Sequence, residues 1–256
     1  MPFEPVPSSA FSFARDAFEF YRSMIQYGIA APDSQAEPSL GGKLLYVGEL
    51  DQHGRALMVA GNIAGAASLS ASADSSAQKQ AVRDGVADFL VNSLDEALRI
   101  LKNEIRKCNT VAVCVSVKPN DIEREMLMRG VQADLHRASL IAIEAEQRGS
   151  RHLISWSVES SAARWLPKLD AIAMSCLAPE AASARRWLRL ASRYLGRSAR
   201  GLRILPGDVE FAARFVEEVR KRSRSGEIAV EALIRVGGDD PEEYRILPGV
   251  QQLGES

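Results

Sequence analysis

Residues 46–65, YVGELDQHGRALMVAGNIAG, place chemistry-bearing side chains at the point where an apolar strand turns into a helix. Gly48 and Gly54 bracket the turn, and Glu49, Asp51, His53 and Arg55 stand in or beside it. A strand, a glycine-containing turn and a helix in this order form the first unit of a dinucleotide-binding fold, where a pyrophosphate rests on the helix N-terminus. Here two carboxylates occupy the turn. Carboxylate and phosphate repel, by about 4 kcal/mol for unit charges ~4 Å apart at an effective dielectric of 20. Arg55 and the helix dipole would offset part of that. His53 has the side chain for general acid–base work or for donating to a ligand, and it equally reads as an exposed loop histidine.

Two more candidate groups lie at expected carboxyl ends of strands, the side on which open α/β sheets bind ligands. Asp74 follows ASLSASA (67–73), and Lys118-Pro119-Asn120-Asp121 follows TVAVCVSV (110–117). Asp74 and Asn120 are ligand candidates, and each also suits the cap of the helix that follows. Cys108, Cys114 and Cys176 lack metal-ligand spacing, as do His53, His136 and His152, so no metal site is expected. No nucleophile elbow or Walker loop is present.

The elements that must carry these groups alternate in period. Strands are expected at 43–48, 67–73, 88–92 and 110–117, with helices near 55–65, 76–84 and 94–107 between them. Ahead of them, 10–27 is an amphipathic helix, followed by the polar linker AAPDSQAEPSLGG. Beyond them, helices are expected at 120–129, 137–148, 160–168, 180–196 and 207–222, and strands at 151–158, 170–178 and 227–237. The fold class is α/β: a Rossmann-like, mainly parallel sheet with helices on both faces, an N-terminal helix and a helical and strand C-terminal extension. The expected domains are 1–38 (helix and linker), 39–178 (Rossmann-like) and 179–256 (extension).

Several phrases, in order, resemble one family. SLGGKLLYVG leads the first strand, AGNIAG closes the first helix and Asp74 ends the second strand. ADFLVNSLDEALRIL, TVAVCVSVKPN and RGVQAD then follow. Residues ~39–134 resemble the NAD-binding, Rossmann-like domain of urocanase (urocanate hydratase). The resemblance implies a homodimer, a tightly held NAD⁺ that serves as an electrophile, and hydro-lyase chemistry on urocanate. It places cofactor-binding positions at Gly48, His53, Gly54, Arg55, Asp74 and Asn120. The departures are chemical. Four glycines of the family's first turn fall on Glu49, Asp51, Gln52 and Arg55, and its ribose-binding acid falls on Ser72. The family's core domain has no counterpart. The expectation is a protein binding a small molecule or nucleotide at the strand carboxyl ends, without urocanate hydration on its own. The alternative is a non-catalytic scaffold or interaction subunit with a degenerate cofactor site.

Composition bounds the rest. With 46% apolar and 25% charged residues and a net charge of −1, the chain is expected to be globular, without a global bias toward nucleic acid. Free cysteines and the lack of a signal or a long apolar run fit a cytoplasmic protein with no membrane span. One basic feature stands out. Arg186, Arg189, Arg193, Arg197 and Arg200 share a helix face, and RKRSRSG (220–226) follows the next helix. Such a stripe could meet phosphate or nucleic acid, but reads first as a solvated face paired with Glu217, Glu218, Glu227 and Glu231.

Overall fold

The computed structural model describes residues 7–28, 38–141, 152–237 and 241–249. They form an α/β protein with two compact units, one of residues 12–148 and 190–198, the other of residues 1–11, 149–189 and 199–256.

The first unit holds α1 (Ser8–Gly28), β1 (Leu44–Glu49), α2 (Gln52–Ala64), β2 (Ala67–Ala71), α3 (Ser75–Arg83), β3 (Phe89–Val91), α4 (Leu94–Arg106), β4 (Val111–Val115), α5 (Pro119–Met128) and β5 (Leu135–His136). Its five strands are all parallel, in the order β3-β4-β2-β1-β5. Strand residues alternate between two covered faces. Leu44, Tyr46, Leu69 and Val113 pack with Leu94, Leu101, Ile122 and Met126 of α4 and α5. On the other face α2 lies directly on the sheet, because Gly61 has no side chain: a Cβ there would stand 2.7 Å from both Leu45 and Ser68 side-chain atoms.

The crossovers decide where a site can form. From β1 the chain moves one way, to β2 and then β4, and afterwards returns to place β5 on the other side of β1. Neighbouring strands whose connections leave in opposite directions open a crevice at their carboxyl ends. That crevice lies between β1 and β5. Asp134 pins β5 in place, its carboxylate accepting from Leu44 N at 2.8 Å and from Lys43 Nζ at 3.0 Å.

The second unit is built on an antiparallel sheet of β6 (Leu153–Val158), β7 (Leu202–Pro206), β8 (Ala232–Gly237) and β9 (Glu242–Ile246), in the order β7-β6-β8-β9. Its helices include α6 (Ala162–Cys176) and α9 (Val209–Arg224); α7 (Ala182–Tyr194) and the short α8 (Gly196–Ala199) lie between them in the chain. β6, expected inside the 39–178 region, is hydrogen-bonded to β7 and β8.

Segment 170–178, expected as a strand, is helical through Cys176 and continuous with the short helix expected at 160–168. Its buried residues, Trp165, Leu166, Leu169, Ile172, Ala173 and Cys176, follow helical spacing. Asp170, read as the start of a strand, is a core residue. It is 6% exposed and accepts from Trp156 Nε1 at 3.0 Å and from Arg203 Nε at 2.9 Å. Burial pushes its carboxyl up, against Arg203 and Trp156, which favour the charged form. β9 was not anticipated: EEYRI is too polar for a strand pattern, yet it forms the charged edge of the sheet, with Arg235 Nε donating to Glu243 at 2.7 Å.

Most of the linker at 30–42 and residues 142–148 of the expected helix lie outside the described residues, although 137–141 are helical. Of the basic clusters, Arg193 stacks over Tyr194, while Arg222, Arg224 and Lys221 pair with Glu227, Glu217 and Glu218. Among the described residues no helix is long and apolar enough to cross a membrane, and no group of three or more His, Cys, Asp or Glu could hold a metal ion.

Candidate functional site

The turn after β1 is shaped by two glycines with different duties. Gly48 has φ +77°, in the left-handed region, at a register shift between β1 and β2; a Cβ there would have nothing within 4 Å. It is needed for its backbone angle. Gly54 is needed for space, since a Cβ would stand 2.0 Å from the Glu49 carbonyl oxygen. The helix N-terminus is thus drawn against the end of its own strand.

Asp51 closes that N-terminus. Its Oδ1 accepts from Gly54 N at 2.7 Å as the cap of α2, and its Oδ2 accepts from Arg137 Nη2 at 2.9 Å. The Nη1 of Arg137 donates to the Glu49 carbonyl at 3.3 Å. Partial burial raises the Asp51 carboxyl, but the Arg137 hydrogen bond and the Gly54 N–H outweigh it and hold it below the usual carboxylate range. The protein's own carboxylate therefore takes the N–H and the cation that a pyrophosphate would use. The residues present do not fit a dinucleotide bound in that way.

The other expected cofactor positions are engaged elsewhere. Arg55 pairs with the buried Asp84, which also accepts from Gln80 Nε2 at 2.9 Å. His53 is exposed, with Nε2 3.9 Å from Asp16. Asp74 caps α3, accepting from Ser76 N at 2.8 Å.

Gly48 and Asn120 lie instead on the wall of a cleft of about 920 Å³ at the carboxyl ends of β1 and β5. The cleft joins the end of β1, the start of α5 and the segment around β5. Tyr46 is its buried polar group, 6% exposed. Its Oη donates to Glu123 Oε1 at 3.2 Å, with the Pro119 carbonyl 3.4 Å away. His136 presents its ring edge-on to Tyr46, with centroids 6.3 Å apart. Burial, then the charge and hydrogen bond of Glu123, then Glu49, push the Tyr46 hydroxyl far up, so it stays protonated as a donor. Met126, Leu127, Val131 and Ile141 make the apolar side.

The sequence assigns Gly48, His53, Gly54, Arg55, Asp74 and Asn120 to one cofactor site; the structure brings Gly48 and Asn120 to this cleft and leaves the other four off its lining. Sequence reasoning did not single out Tyr46, Glu123 or Arg137. Tyr46 stands in an apolar strand and reads as core, and Glu123 and Arg137 approach only because β5 returns beside β1. No family model matches the sequence, and no curated protein matches it either.

Proposed function

We propose that the parallel-sheet unit is a small-molecule-binding module whose ligand occupies the β1–β5 cleft, and not the N-terminus of α2. One observation carries this reading: the cleft of about 920 Å³ lies at the topological switch point and combines an apolar wall with a few convergent polar groups. Descent from a urocanase-like, NAD-binding domain is part of the same proposal. The parallel sheet and the strand-turn-helix at residues 44–64 support it. Urocanate hydration is left out of it, because Asp51 satisfies the helix end that NAD would need.

A second reading is a non-catalytic interaction subunit with a degenerate cofactor site. Leu127, 82% exposed, and Met128, 73% exposed, favour it by giving the end of α5 an apolar surface. Homodimerisation, implied by the urocanase resemblance, belongs with this reading.

Backbone-amide NMR with a mixed set of small organic fragments separates the two. The first reading expects amides at 46–49, 120–123 and 131–137 to shift together. Shifts gathered at Gly54, Arg55 and Asp74 would move the site to the dinucleotide position. A set that moves no amides in the cleft favours the interaction subunit.

A further inference from the structure

The polar groups of the cleft divide by charge and by what already engages them. Three of them offer acceptors. Tyr46, buried, directs its hydroxyl hydrogen at Glu123, leaving the oxygen lone pairs open. One oxygen of the half-buried Glu49 accepts from Leu50 N at 3.1 Å, and the other has no partner within the turn. Glu123, exposed, keeps its second oxygen. Of the cations, Arg137 is drawn to the turn, one N–H of each terminal nitrogen donating to Asp51 and to the Glu49 carbonyl. Lys118 and His136 are exposed, as are Asn120 and Gln132. The charges that act on the Tyr46 hydroxyl, those of Glu123 and Glu49, are both negative. Beside this acceptor-rich end runs the apolar wall of Met126, Leu127, Val131 and Ile141.

Resting on the reading of the cleft as the ligand site, we infer that it takes a small organic cation, an ammonium nitrogen held between Glu49, Glu123 and the Tyr46 oxygen with an apolar body along α5. An ammonium brings up to three donors and a positive charge to a place that offers acceptors and negative charge. A carboxylate or phosphate ligand would meet Glu49 and Glu123 there, and would find Arg137 already paired.

The test uses three probes of like shape and different head group on the full chain near neutral pH: benzylamine, benzyl alcohol and benzoate, each titrated while backbone-amide shifts are followed. Benzylamine is expected to move the amides of Tyr46, Glu49 and Glu123 and to bind roughly tenfold more tightly than benzoate, with the alcohol between them. Glu123→Gln, a change at an exposed position, should cut the preference for benzylamine severalfold and leave the alcohol nearly unaffected. If benzoate binds in the cleft as well as benzylamine, or if Glu123→Gln leaves the preference intact, the cation inference is overturned while the cleft remains the site. Should none of the probes move the cleft amides, the underlying reading of the cleft falls as well.

Discussion

Replacing Arg203 by methionine should cost about 3–5 kcal/mol of folding stability, the loss typical of breaking a buried ion pair from one side. Arg203 is 2% exposed on β7. It donates to Asp170 at 2.9 Å and, through Nη1, to the carbonyls of Arg200 at 3.1 Å and Leu202 at 2.9 Å. Methionine keeps much of the stem but leaves a core carboxylate with the Trp156 indole as its remaining donor. Urea titration measures the loss directly. The sign of its pH dependence follows from the carboxyl. Without the guanidinium, burial raises Asp170 further, so the folded state binds a proton that the unfolded state, near the ordinary 3.8, does not. The deficit against wild type should therefore narrow as pH falls toward that value. Adding Asp170→Leu should recover part of the loss, because it removes the unpaired carboxylate but leaves the buried Trp156 indole N–H without its acceptor. A loss below about 1 kcal/mol for Arg203→Met, the level of an exposed pair, contradicts the structural role given to this contact.

Gly54→Ala should also be strongly destabilising, at a position where helix propensity alone would favour alanine by about 1 kcal/mol. The added Cβ would fall 2.0 Å from the Glu49 carbonyl oxygen and 3.3 Å from Asp51 Oδ1. Relief requires α2 to move off the end of β1, which loosens both the Asp51 cap and the bond from Arg137 to Glu49. Overpacking of this kind costs about 1–3 kcal/mol, in addition to the propensity gain it must cancel. Gly48→Ala is the informative comparison. It has open space, and its cost of about 1–2 kcal/mol comes from the left-handed backbone alone. Gly54→Ala should be the worse of the two by thermal melting, and a Gly54→Ala protein as stable as wild type would contradict the close approach.

What the sequence made legible was the part whose signals are local. The parallel-sheet strands and the helices between them carry unmixed periods and recognisable caps: Ser93 accepts from Glu96 N before α4, and Asp74 from Ser76 N before α3. Segment 170–178 differs from the expected strand because a short apolar run fits either period, and because Asp170 gains its partners only from β6 and β7, 14 and 33 residues away. β9 was invisible for the opposite reason: an edge strand can be charged throughout. The candidate site was half legible. The strand, turn and helix fall where the local pattern puts them. The cap that Asp51 places on Gly54 N is local, but its pairing with Arg137, which reaches it across 86 positions, is not. The cleft depends on β5, two residues long, whose pairing with Leu45 and Tyr46 no local pattern announces.

The most direct measurement is the thermal midpoint of the full chain with and without millimolar NAD⁺. Asp51 already occupies the N–H and the guanidinium that a pyrophosphate would need, so the midpoint should not move. A ligand present at 100 times its dissociation constant would add about 2.7 kcal/mol. At roughly 2–4 °C per kcal/mol for a chain of this size, a rise of several degrees would contradict the closure of the turn and restore the dinucleotide to the N-terminus of α2.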